Sequence, residues 1–96
     1  MNLQEMFEGA GVEGGKLCIP LETLGLEQKD TVSGDKILFA VCRKASETYK
    51  ALKPAERTKA MSVSYSPNFD AGDGTVQHAF GLRFTAPMPR TLELVD

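Results

Sequence analysis

The sequence predicts a small α+β domain: a β-α-β-β unit whose three-stranded, largely antiparallel sheet carries one main helix on one face. Three observations predict it. Apolar residues recur at three- and four-residue steps over 34–52, the period switches to two after Lys59, and a short apolar run at 16–19 is stopped by Pro20. The chain has 96 residues, enough for one domain with a modest core. Hydrophobic and charged contents of 42% and 25% are those of a globular protein, which argues against wholesale disorder. We divide it into an N-terminal segment, 1–15, flexible or docked on a partner, and a single α+β domain, 16–96.

Residues 2–8 suit one amphipathic turn with Leu3, Met6 and Phe7 on one side. Seven residues do not hold a helix unaided, because nucleation is costly, so this turn must dock or fray. The glycine-rich run 9–15 reads as a flexible connector. Residues 16–19 read as a short strand and 20–32 as a loop with one helical turn around Leu21 and Leu24. Ser33 is a suitable N-cap, and Asp35 favours the positive helix N-terminus. Leu38, Val41, Cys42, Ala45, Tyr49 and Leu52 then form one apolar stripe, and Pro54 stops the helix.

In the next segment Met61, Val63 and Tyr65 alternate with serines, and Val76, His78, Phe80, Leu82 and Phe84 share one face of a second strand. Parity restricts their hairpin. Opposed residues share a face and their numbers have a constant sum, which must be odd here, so the loop has an even number of residues. Two registers meet this condition and also use the available turn chemistry. A two-residue turn at Asp73-Gly74 pairs Tyr65 with Leu82 and Val63 with Phe84, and is preferred because it keeps aromatic and aliphatic residues together. A four-residue loop over 70–73 pairs Tyr65 with His78 and Val63 with Phe80. The preferred hairpin has strands of about 12 residues, longer than one helix covers. Its distal section, 67–80, is either an arm carrying Phe69, Val76 and Phe80 or an ordinary Asp- and Gly-rich loop.

Motifs that look chemical fail on context. Gly9, Gly11 and Gly14 match the spacing of a dinucleotide-binding turn, but no useful strand precedes them and no helix follows. Asn68, Asp70 and Asp73 hint at a calcium loop, yet position six from Asn68 is an aspartate and position twelve an alanine. His78 is the one histidine, and nothing places it beside Cys18 or Cys42. A strand histidine on an apolar face reads as a hydrogen-bonded core or interface residue rather than a general base. Two cysteines and one histidine also lack metal-ligand spacing. We therefore assign no catalytic, cofactor-binding or metal-binding residue, expect no cofactor and no small-molecule substrate, and read the chain as non-enzymatic.

A net charge of −2 steers the chain to neither nucleic acid nor an acidic membrane. The aromatics lie on the helix-covered face, which disfavours direct stacking on bases. Locally the charge is uneven: residues 1–35 carry −5, whereas 43–59 carry six cations against Glu47 and Glu56. That second cluster suits either the helix C-terminal dipole or an acidic partner. No run of 18 apolar residues spans a membrane, and residues 1–8 lack the features of a signal peptide. The expectation is an intracellular, cytoplasmic protein with Cys18 and Cys42 as buried free thiols.

The function expected is that of a structural or assembly subunit with a protein partner or further copies of itself, set in a larger particle such as a virion or phage tail. The candidate interface residues are Leu3, Met6, Phe7, Phe69, Val76, His78, Phe80, Leu92 and Leu94. The alternative is a small binding or regulatory module that uses the basic C-terminal half of the helix.

Overall fold

The computed structural model describes residues 1–27, 33–68, 74–87 and 92–95. In chain order its elements are α1 (Leu3–Met6), β1 (Gly11–Glu13), β2 (Lys16–Cys18), α2 (Gly34–Ala51), β3 (Met61–Asn68) and β4 (Gln77–Phe84), with 3₁₀ turns at Leu21–Leu24 and Pro54–Glu56. The α+β class and the single main helix are as the sequence predicts. Ser33 caps α2 by accepting from the Lys36 backbone N–H at 3.2 Å, and Asp35 stands in the first turn. The helix ends at Ala51, one residue before the expected boundary.

The three-stranded sheet is not found among the described residues. They form two separate antiparallel pairs, β1 with β2 and β3 with β4. Strand β2 pairs locally, Val12 opposite Leu17 and Glu13 opposite Lys16. The reason lies between those strands, where Gly14 and Gly15 have φ of +57° and +75°. Two successive residues at positive φ make the tight hairpin turn that matches strand twist, and glycine adopts it without steric cost. The glycine run is thus a hairpin. It leaves Val12 and Leu17 exposed, and Cys18, expected to be buried, is exposed as well. Cys42 is half-buried, and both thiols are free.

Helix α2 is buried on two sides, which one apolar stripe does not anticipate. Ala40 and Ala45 join Phe7, Ala10, Leu24 and Leu26 in the core, with Ile37 and Val41 packed against them. Leu38, expected in the stripe, is instead exposed. The other side of α2 packs along β3. The N-terminal residues are tied to this core: Phe7 is buried, Thr48 Oγ1 donates to the Met6 carbonyl at 3.2 Å, and Thr23 Oγ1 donates to the Glu8 carbonyl at 2.6 Å. Four helical residues in α1 gain their order from this docking.

The long hairpin keeps the odd parity but uses neither expected register. Met61 faces Phe84, Val63 faces Leu82 and Tyr65 faces Phe80, in strands of eight residues rather than about 12. Tertiary contacts select this alignment. Tyr65 packs on Phe80 with centroids 5.0 Å apart, and Phe39 of α2 reaches both His78 and Phe80, at 4.9 and 6.1 Å. The section 77–80 is therefore strand against the helix rather than a free arm. Residues 69–73 of the intervening loop, with Phe69, Asp70 and the Asp73 half of the expected turn, lie outside the described residues.

Candidate functional site

Two concave surfaces flank the place where α2 meets the long hairpin. The first is a pocket of about 430 Å³ lined by Phe39, Arg43, Glu47, Lys50, Tyr65 and His78, among others. Helical spacing puts the first four on one side of α2, and strand alternation puts Tyr65 and His78 on the facing side of the hairpin. Its cations are seated on rings: Lys50 Nζ lies 4.9 Å from the Tyr65 centroid, and the Arg43 guanidinium 5.7 Å from that of Phe39. Each such contact is worth about 0.5–1 kcal/mol at an exposed site. The Arg43 guanidinium also donates through Nη2 to the Leu24 carbonyl at 3.3 Å, which holds the charged end in place. Tyr65 Oη and His78 Nδ1 share a hydrogen bond of 2.5 Å. Two cations and several ring faces around one concavity are chemically suited to an acidic group carried on a flat or apolar body.

The second surface is an apolar groove of about 330 Å³. Met6 and Phe7 form one wall, Val41 and Ala45 of α2 another, and Leu82 and Phe84 of β4 a third; Leu94 of the tail also lines it. The tail is held there by the Val95 N–H, which donates to the Thr85 carbonyl at 3.0 Å. Leu82, Phe84 and Leu94 are nevertheless 45%, 55% and 43% exposed. The cause is geometric. Beyond Phe39 the helix follows β3, so the apolar row of β4 has only one covered flank.

The candidate residues from the sequence fall in different places. Phe7 is core, and Leu3 and Met6 pack against that core. His78 and Phe80 line the aromatic pocket, whereas Met6, Phe7 and Leu94 line the groove. Val76 and Leu92 are exposed, and Phe69 lies outside the described residues. Sequence reasoning misses Phe39, which lies off the expected stripe, and Tyr65, Leu82 and Phe84, whose alternation marks them only as sheet core. The available signal was the spacing of Phe39, Arg43 and Lys50, four and seven residues apart, which marks one helix side.

Among the described residues no group of three or more His, Cys, Asp or Glu side chains is placed to hold a metal ion, and no helix is long and apolar enough to cross a membrane. Comparison with protein-family models, curated proteins and solved structures returns no match to this chain.

Proposed function

We propose that this chain is a non-enzymatic assembly subunit that completes its fold by burying the apolar groove and the adjoining β4 row against another protein chain. The observation carrying this reading is the balance of burial. Seven apolar residues are buried among those described, three of them alanines, and none of the larger side chains among them is fully enclosed. Meanwhile Val12, Leu17, Leu38, Leu82, Phe84 and Leu92 all remain substantially exposed. Of the exposed apolar residues, Leu82, Phe84 and Leu94 adjoin one groove, the kind of grouped apolar surface that marks interaction sites, and a small domain gains more from added burial than a large one. Incorporation into a virion or phage tail would suit such a subunit.

The reading predicts concentration-dependent association in sedimentation velocity and binding of a hydrophobic dye. Leu94→Asp is expected to weaken both, because it sets a carboxylate at the groove mouth. Leu94 is half out of the protein already, so the melting temperature should move by only a few degrees. A wild-type chain that stays monomeric at every concentration and binds no dye would defeat the reading.

A second reading, a binding module for acidic partners, is favoured by the seating of Arg43 and Lys50 on ring faces beside the aromatic pocket. Poly-glutamate is its simplest probe. Arg43→Glu with Lys50→Glu should abolish binding at low salt, and undiminished binding would remove this reading.

A further inference from the structure

The two edges of the long hairpin are not equivalent. The Thr85 N–H donates to the Ala60 carbonyl at 2.9 Å. In an antiparallel ladder, hydrogen-bonded and non-hydrogen-bonded pairs alternate. That bond therefore fixes which groups point inward: Arg83, Gly81, Ala79 and Gln77 bond to β3. His78, Phe80, Leu82 and Phe84 direct their N–H and C=O groups outward from β4. On β3 the outward positions are Met61, Val63, Tyr65 and Pro67. Pro67 has no N–H to offer, so the β3 edge is blunted in the manner of protected edge strands. The β4 edge has no such guard. Its outward positions hold no proline and no lysine, and among the described residues no strand pairs with it.

The same four residues carry the row of side chains on the helix-facing side of β4. An open row of hydrogen-bonding groups and an incompletely covered apolar row thus coincide on one strand. Resting on the assembly reading, we infer that a second copy of this chain pairs with β4 across a two-fold axis, joining the two hairpins into one four-stranded antiparallel sheet. A second copy answers both deficits because an isologous seam is self-complementary. A two-fold perpendicular to the sheet keeps both helices on one face. The copy's own apolar row then lies beside Leu82 and Phe84, at the mouth of the groove.

The register follows from the pattern. Outward-pointing residues must oppose outward-pointing residues, so the paired numbers have an even sum. Placing Gly81 opposite its own copy matches all four: Phe84 faces His78 of the second copy and Leu82 faces Phe80. This alignment makes about eight interchain hydrogen bonds, two for each hydrogen-bonded pair. It also sets the two Gly81 residues, which have no side chains to crowd the axis, at the closely spaced non-hydrogen-bonded position.

Two kinds of variant test this with the full chain. Leu82→Pro removes an N–H that no bond among the described residues uses, and Leu82→Lys places a charge in the seam. Light scattering with size-exclusion chromatography should give twice the 10.4 kDa chain mass for the wild type. Both variants should give the monomer mass, with far-UV circular dichroism unchanged. For the register, Gly81→Cys is made together with Ser64→Ala, since a Cβ at Gly81 would lie 2.5 Å from Ser64 Oγ. Cys18→Ser and Cys42→Ala remove the native thiols. A non-hydrogen-bonded pair has Cα atoms about 4.5 Å apart, within the range a disulfide spans. Mild oxidation should therefore give a covalent dimer at position 81 and none with Ala79→Cys or Arg83→Cys. Association that survives both Leu82 variants, or cross-linking at 79 or 83 instead of 81, overturns this seam while leaving the assembly reading in place. A monomeric wild type overturns the seam as well, and dye binding then decides whether the broader reading also falls.

Discussion

Phe7→Ala is expected to cost about 3–5 kcal/mol of folding stability. Phe7 is 7% exposed and sits in a core whose other large buried side chains are Leu24 and Leu26. Alanines 10, 40 and 45 complete that core and contribute little area of their own. Removing the ring leaves a void among short side chains that cannot reach across it, so little relaxation offsets the loss. A domain of this length has roughly 5–14 kcal/mol in total, and at least a fifth of it goes in a single change. Thermal melting followed by circular dichroism should show a drop of about 12 °C or more, at 4 °C or more per kcal/mol for a chain of this size. Phe7→Leu should lose far less, because most of the volume remains. A melting temperature within two or three degrees of wild type for Phe7→Ala would mean that α1 is not docked as described.

The elements legible in the sequence are those whose signals are local. Ser33 caps α2, Pro54 follows its end, and the serine alternation of 62–66 marks β3; each can be read from a few neighbouring residues. Hairpin parity is legible for the same reason, since it depends only on which face each residue takes. The register is not. Three alignments share the odd sum, and the choice among them comes from Phe39, a helix residue far away in the chain that fits against His78 and Phe80. The first hairpin shows the opposite failure. Gly14-Gly15 between Val12 and Leu17 is a recognised turn dipeptide, but strands of three residues are too short for alternation to stand out. Once that pairing is missed, β2 looks available for the main sheet, and the three-strand expectation follows from it. The aromatic pocket was hidden by the same kind of gap. Arg43 and Lys50 read as a basic helix end, and only the fold shows that they rest on Phe39 and Tyr65.

Helix α2 faces two packed surfaces of unequal strength, and Val63→Asp should separate them. Val63 is the one buried apolar residue of the long hairpin among those described, at 8% exposure under the helix, and it stands outside the N-terminal core cluster. A carboxylate there replaces an apolar side chain under the helix, and taking such a charge out of water costs several kcal/mol. In the ring cluster Phe39 and His78 are exposed and Tyr65 and Phe80 half-buried, and such ring pairs contribute about 0.5–1.5 kcal/mol each. They do not offset that cost, so the hairpin should detach from the helix. The N-terminal core has its own contacts through Phe7, Leu24 and Leu26 and should persist. Native-state hydrogen exchange distinguishes the outcomes, because cooperative units open separately. In Val63→Asp the amides of β3 and β4 should lose protection while those of α2 keep it, and the β4-mediated dimer should be lost with the hairpin's seat. Equal loss of protection in α2 would mean that the helix needs both surfaces at once and that the chain unfolds as a single unit.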